Sequence, residues 1–108
     1  MAAKAAELLP TEAGFRGTLG TARYRTGDWK GAIADLEKAI GLSNPYHPYN
    51  ATNGFFLAMA HWHLGEKDKA RTWFDKAVQW MDKGLPENTD LKRFRAEAAE
   101  LLGIAETK

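Results

Sequence analysis

From Leu19 the chain carries an apolar-periodic stretch, breaks at Gly27-Asp28, and resumes with Ala32, Leu36 and Ala39 at spacings of four and three. The layout recurs from Leu57, with a break at Gly65-Glu66 and then Ala70, Phe74 and Ala77. Apolar residues three and four apart mark one face of a helix, and a glycine before an acidic residue marks a stop. Each stretch therefore predicts two helices joined by a tight turn.

Laid over each other at a shift of 38, LGTARYRTGDWKGAIADLEKAI and LAMAHWHLGEKDKARTWFDKAV pair Leu19 with Leu57, Gly20 with Ala58 and Gly27 with Gly65. Ala32 then pairs with Ala70, Leu36 with Phe74 and Ala39 with Ala77. Matches this regular identify a helical hairpin used twice. Helices cross closely only where side chains are minimal. Gly20 with Ala32 and Ala58 with Ala70 are thus expected to mark contact inside each hairpin, and Ala39 and Ala77 contact with the next helix. Leu36 and Phe74 fill the space between.

This order of small and bulky residues resembles the tetratricopeptide repeat, a family of two-helix units of 34 residues. The resemblance runs from Ala13 to about Met81 and implies an all-α superhelix, with repeats at 13–44 and 51–82. The four additional residues of the 38-residue spacing are expected in the loop SNPYHPYN, Ser43 to Asn50, where two prolines and Asn44 favour turns. Lys4-Ala5-Ala6-Glu7-Leu8-Leu9-Pro10 lies 34 residues before Lys38, which puts Ala5 at the place of Ala39 and Pro10 at the family's terminating proline. Residues 1–10 read as the end of a preceding repeat, and the chain as a piece of a longer array. FFLAMAHW and LKRFRAEAAELLG are similar to segments of modules in large bacterial signalling proteins, including multidomain Ser/Thr kinases.

At the other end, residues 88–103 predict a capping helix. Asn88, Thr89 or Asp90 supplies the N-cap and Gly103 the stop. Leu91, Phe94, Ala98, Leu101 and Leu102 form one apolar stripe, while Lys92, Arg93, Arg95, Glu97 and Glu100 face outward.

Composition narrows the function. Fifteen Lys and Arg against fourteen Asp and Glu leave a formal charge of +1, so no global field recruits nucleic acid or an anionic membrane. With no cysteine, disulfides, thiolate metal sites and thiol nucleophiles are excluded, which suits a cytoplasmic chain. No apolar run approaches the roughly 18 residues of a membrane span. His61 and His63 point about 200° apart on a helix and cannot share one ion without distortion, and no metal or cofactor is expected with them or with His47. Gly14, Gly17 and Gly20 lack the strand-to-helix setting of a phosphate loop. Asp35 with Glu37, and Glu97 with Glu100, are expected on solvated faces. Asn50-Ala51-Thr52 has the form of a glycosylation acceptor but is too short to carry weight. The expectation is a protein without enzymatic activity.

What remains is binding. The resemblance implies a concave groove lined by the first helix of each hairpin, a cradle for a peptide or partner protein. By the family's register its positions are Gly14, Gly17, Thr18, Thr21, Tyr24 and Arg25, then Thr52, Phe55, Phe56, Met59, Trp62 and His63. The matching positions Gly17 and Thr21 lack the Lys and Asn with which one branch of the family grips a C-terminal carboxylate. His61 stands where the family places a packing aromatic. Phe56 is expected to be mainly structural, whereas Phe55, Met59 and Trp62 either line the groove or belong to the core. If accessible, they suit an apolar or proline-rich guest, with Tyr24, Arg25 and His63 as polar edges. The alternative is a self-associating array. The N-terminal face around Leu19, Tyr24 and Ile33, shielded only by Ala5, Leu8 and Leu9, would then accept a second copy.

Overall fold

A computed structural model describes residues 12–42 and 50–104. They form five helices: α1 (Glu12–Arg25), α2 (Trp29–Leu42), α3 (Asn50–His63), α4 (Lys67–Gly84) and α5 (Thr89–Leu102). There is no strand among the described residues. The helices make two hairpins, α1/α2 and α3/α4, with α5 packed on the second. Residues 1–10 and most of the loop after Leu42 lie outside the described residues, as do Leu8, Leu9 and His47.

Three helices end the same way, and glycine is the reason. Gly27, Gly65 and Gly103 have φ of 90°, 82° and 74°, a left-handed conformation in which a Cβ clashes. After α1 the amide of Asp28 donates to the Arg23 carbonyl at 2.9 Å and that of Gly27 to Tyr24 at 3.1 Å. After α3, Glu66 donates to His61 and Gly65 to Trp62, both at 2.9 Å. Carbonyls that would be orphaned at each helix end are thereby satisfied. The chain reverses at once, so the hairpin's helices lie side by side. At the far end Asn88 is the N-cap of α5, its side-chain oxygen accepting from the Leu91 amide at 2.9 Å.

Inside the first hairpin, Gly20 faces Leu36 and the carbonyl of Ala32, as its small size predicts. Inside the second, Gly54 faces Ala77: a Cβ on Gly54 would lie 2.9 Å from that of Ala77. Ala77 therefore meets its own hairpin partner. Leu36 and Phe74 are core residues, as are Ala32, Ala39, Ala58 and Ala70.

The central helix is α3. It packs against each of the other four, and ten of its fourteen residues are buried. A helix with neighbours on every side must be apolar all round. NATNGFFLAMAHWH nearly is.

Candidate groove between the first helices of the hairpins

The N-terminal halves of α1 and α3 run beside each other and leave a cleft of about 200 Å3 between them. Ala13, Gly14, Gly17, Thr18 and Thr21 line it from α1, and Thr52 and Asn53 from α3. Gly17 is what brings the walls together. A Cβ there would stand 2.9 Å from Asn53 Oδ1, so the carboxamide lies over bare backbone. Thr21 donates its hydroxyl to the Gly17 carbonyl at 3.0 Å and is satisfied within its own helix. No hydrogen bond joins the side chains of Thr18, Thr52 or Asn53 to another described residue. The cleft therefore presents two hydroxyls and one carboxamide over a floor of glycine and alanine.

The other end of the same face is closed. Arg25, in the last turn of α1, reaches Glu97 on α5 through two hydrogen bonds, Nη1 to Oε2 at 2.6 Å and Nη2 to Oε1 at 3.1 Å. Its guanidinium lies 5.1 Å from the ring centre of Phe56 and 5.7 Å from that of Tyr24. Hydrogen bonding to Glu97 holds the guanidinium even more firmly protonated than usual. Beneath it Tyr24 is buried, its ring 5.4 Å from Phe56 and 5.2 Å from Trp29. Burial, and then the charge of Glu97, push the Tyr24 hydroxyl above the ordinary phenol value. That hydroxyl is 3.3 Å from His63 Nε2, and the His63 ring stacks on Trp29 at 4.0 Å and 6°.

The expected lining residues thus separate. Gly17 and Thr21 line the cleft, while Tyr24, Arg25 and His63 form the closed end. Trp62 is half-buried, with the Lys67 ammonium 5.0 Å from its ring. Phe55 and Met59 have no exposed surface, which removes them from the lining. Phe55 meets Phe74 edge-on at 5.7 Å and Phe56 meets Phe94 at 5.0 Å, because α4 and α5 enclose the faces of α3 that an open array would leave bare. Tyr24 faces α3 and not the N-terminal side, so it drops from the expected self-association surface.

Two acidic residues depart from the outward faces expected of them. Glu97 turns to Arg25. Asp35 is buried and accepts from Arg23 at 2.7 Å and Arg16 at 3.2 Å. Its repeat equivalent is Trp73, a sign that the position packs. Asn53 escaped the sequence reading because its neighbour, Gly17, belongs to another repeat.

His61 is buried against the turn, with Nδ1 2.7 Å from Glu66 Oε1. A carboxylate has no proton to give, so Nδ1 is the donor. Nε2 is buried with no partner. Arg23 and Asp28 are the same two positions one repeat earlier, and they also pair, at 3.0 Å. Among the described residues no cluster of three His, Asp or Glu could hold a metal ion, and no helix is long and apolar enough to cross a membrane.

The sequence profile of the tetratricopeptide repeat matches residues 18–82, more than half of the chain. The chain belongs to the tetratricopeptide-repeat family. Its two hairpins are two such repeats, and repeats of this family generally mediate protein–protein interaction without catalysing a reaction. No curated protein and no solved structure matches the chain. The similarity to modules of bacterial signalling proteins has no counterpart in those comparisons.

Proposed function

We propose that this tetratricopeptide-repeat protein is a non-enzymatic interaction module that takes an extended segment of a partner protein into the cleft between α1 and α3. The observation that carries the reading is the set of unpartnered side chains at Thr18, Thr52 and Asn53 above the Gly14 and Gly17 floor. Glycine and alanine let a second backbone approach closely, and the hydroxyls and carboxamide can donate to its carbonyls. A proline-rich segment fits best. It is extended beforehand, so it loses little entropy on binding, and it offers carbonyls with few amides of its own. Large apolar side chains have less to gain, since Phe55 and Phe56 belong to the core.

Screening a library of proline-rich peptides, followed by titration of the binders, tests the proposal. Asn53→Ala and Gly17→Ala should each weaken capture, the second by pushing the Asn53 carboxamide aside, with helical content unchanged. Binders indifferent to both substitutions would refute the cleft as the site.

A second reading, self-association, is favoured by one observation. Phe15 and Leu42 are 55% and 48% exposed, and both lie on the first hairpin, at the start of α1 and the end of α2. These helices are antiparallel, which puts the two residues at the same end. If this end joins two copies, sedimentation at rising concentration should reveal a dimer that Phe15→Glu dissociates. A monomer at every concentration would dismiss it.

A further inference from the structure

We infer that Arg25 and Glu97 form an exchangeable clasp over the closed end of the concave face, and that a partner segment carrying a carboxylate next to an apolar side chain opens it by replacing Glu97. The inference rests on the concave face being the binding surface. It adds the chemistry that the closed end would select.

The pair joins the first helix to the last across 72 positions of sequence. Its side chains are 49% and 38% exposed. Exposed ion pairs contribute little, because each partner loses little by returning to water. Exchanging one carboxylate for another on Arg25 therefore costs little. The two-pronged geometry persists with any carboxylate, since the guanidinium fork matches the group itself and not the residue that bears it.

What lies beneath makes exchange useful. The guanidinium sits over Phe56, and Glu97 is what holds it there. Phe56 is fully buried and packs edge-on against Phe94, which is only partly covered. Phe94 therefore offers aromatic surface beside the clasp without the clasp having to leave Phe56. The distance of 5.1 Å from guanidinium to ring centre is spanned by side chains of adjacent residues. A guest with an acid beside an aromatic or aliphatic residue can engage both.

The charged groups around the clasp permit this. On α3, His63 is engaged with Tyr24 and Trp29. On α5, Arg93 lies 5.9 Å from the Phe94 ring and is paired to Asp90 at 3.8 Å. Besides Glu97 itself, no described carboxylate pairs with Arg25. The incoming acid displaces the one described carboxylate paired with Arg25. The ligand differs from the C-terminal tail held by the family's Lys and Asn clamp, whose matching positions here are Gly17 and Thr21. It is an internal acid met by a single arginine at the far end of the helices.

The probes are acetyl-Phe-Glu-amide and acetyl-Phe-Gln-amide, titrated to millimolar concentration into the isotopically labelled chain and followed by NMR. The Glu peptide should move signals of Tyr24, Arg25, Phe56 and Phe94, and the Gln peptide should not. Glu97→Gln should tighten the Glu peptide by up to about fivefold by removing its competitor, a factor that follows from the energy of an exposed pair. Arg25→Gln should abolish the preference for Glu. Arg25→Lys, which keeps the charge and loses the fork, should retain part of it and serves if Arg25→Gln lowers helical content. Equal response to both peptides, or weaker binding by Glu97→Gln, would overturn the clasp. So would shifts confined to Gly14, Gly17, Thr52 and Asn53, though these would leave the cleft reading standing. A chain that binds proline-rich peptides at the cleft but answers neither probe would also overturn the clasp alone.

Discussion

A Cβ placed on Gly20 would come within 2.6 Å of Leu36 Cγ and 2.9 Å of its Cδ2. The carbonyl of Ala32 stands 3.2 Å away on the same side, so neither the fully buried leucine nor the backbone behind it has room to withdraw. Gly20→Ala should therefore destabilise the first hairpin by about 1–3 kcal/mol, the usual range for overpacking a tight contact. Alanine's better helix propensity returns about 0.5–1 kcal/mol of this. Gly20→Leu should be worse. Thermal melts equal to the parent's would dismiss the contact.

Gly41 supplies the opposite sign. It lies in the last turn of α2 with no described residue within 4 Å of its would-be Cβ. Gly41→Ala meets no obstacle and should stabilise by up to about 1 kcal/mol through helix propensity. Denaturant midpoints for Gly20→Ala and Gly41→Ala should move in opposite directions. Movement in the same direction would mean that propensity, and not packing, governs both sites.

Truncation of Phe55 separates core from ligand surface. Since it is fully buried against Phe74, Phe55→Ala should cost about 3–5 kcal/mol, and Met59→Ala about 2–5 kcal/mol. In a small domain that is much of the total stability. Urea titration followed by circular dichroism measures it. A variant that melts like the parent but loses a ligand would return these residues to the groove.

The N-cap of α5 gives a smaller effect. Asn88→Ala removes the acceptor for the Leu91 amide and should cost about 1 kcal/mol. Asn88→Asp should retain most of the stability. If alanine were neutral in the same melts, α5 would be held by its apolar stripe alone.

Acid should loosen the first turn. Asp28 accepts from the Gly31 amide at 3.0 Å and is paired with Arg23; the amide first, and then the arginine, hold its carboxyl below the ordinary Asp value. A depressed carboxyl stabilises the fold fully above its unfolded value of about 4, and the contribution is lost as pH falls through the lower folded value. Glu66 is lowered by His61 and then Lys69, and Glu87 by Lys92, in the same direction. Asn at position 28 can still cap but cannot titrate. In Asp28→Asn the loss of melting temperature between pH 7 and pH 3 should be smaller than in the parent. An unchanged loss would show that Asp28 is not linked to folding.

Features that depend on near neighbours along the chain can be read from its residues alone. The 38-residue repetition, Gly27 and Gly65 in the turns, the Gly20 contact, the Asn88 cap and the Gly103 stop each follow from spacing and backbone conformation within one hairpin or one helix end. Tertiary structure decided the rest, since α3 has four neighbours and only their placement says which of its apolar side chains meet solvent. Phe55 and Met59 occupy positions that a two-helix rule leaves open, and α4 and α5 close over them. Asp35 required arginines from α1, and Asn53 a glycine from the preceding repeat. Arg25 was expected at the edge of the groove and Glu97 on a solvated face of a separate helix. They meet because α5 returns across α3, a relationship that helical periodicity does not contain.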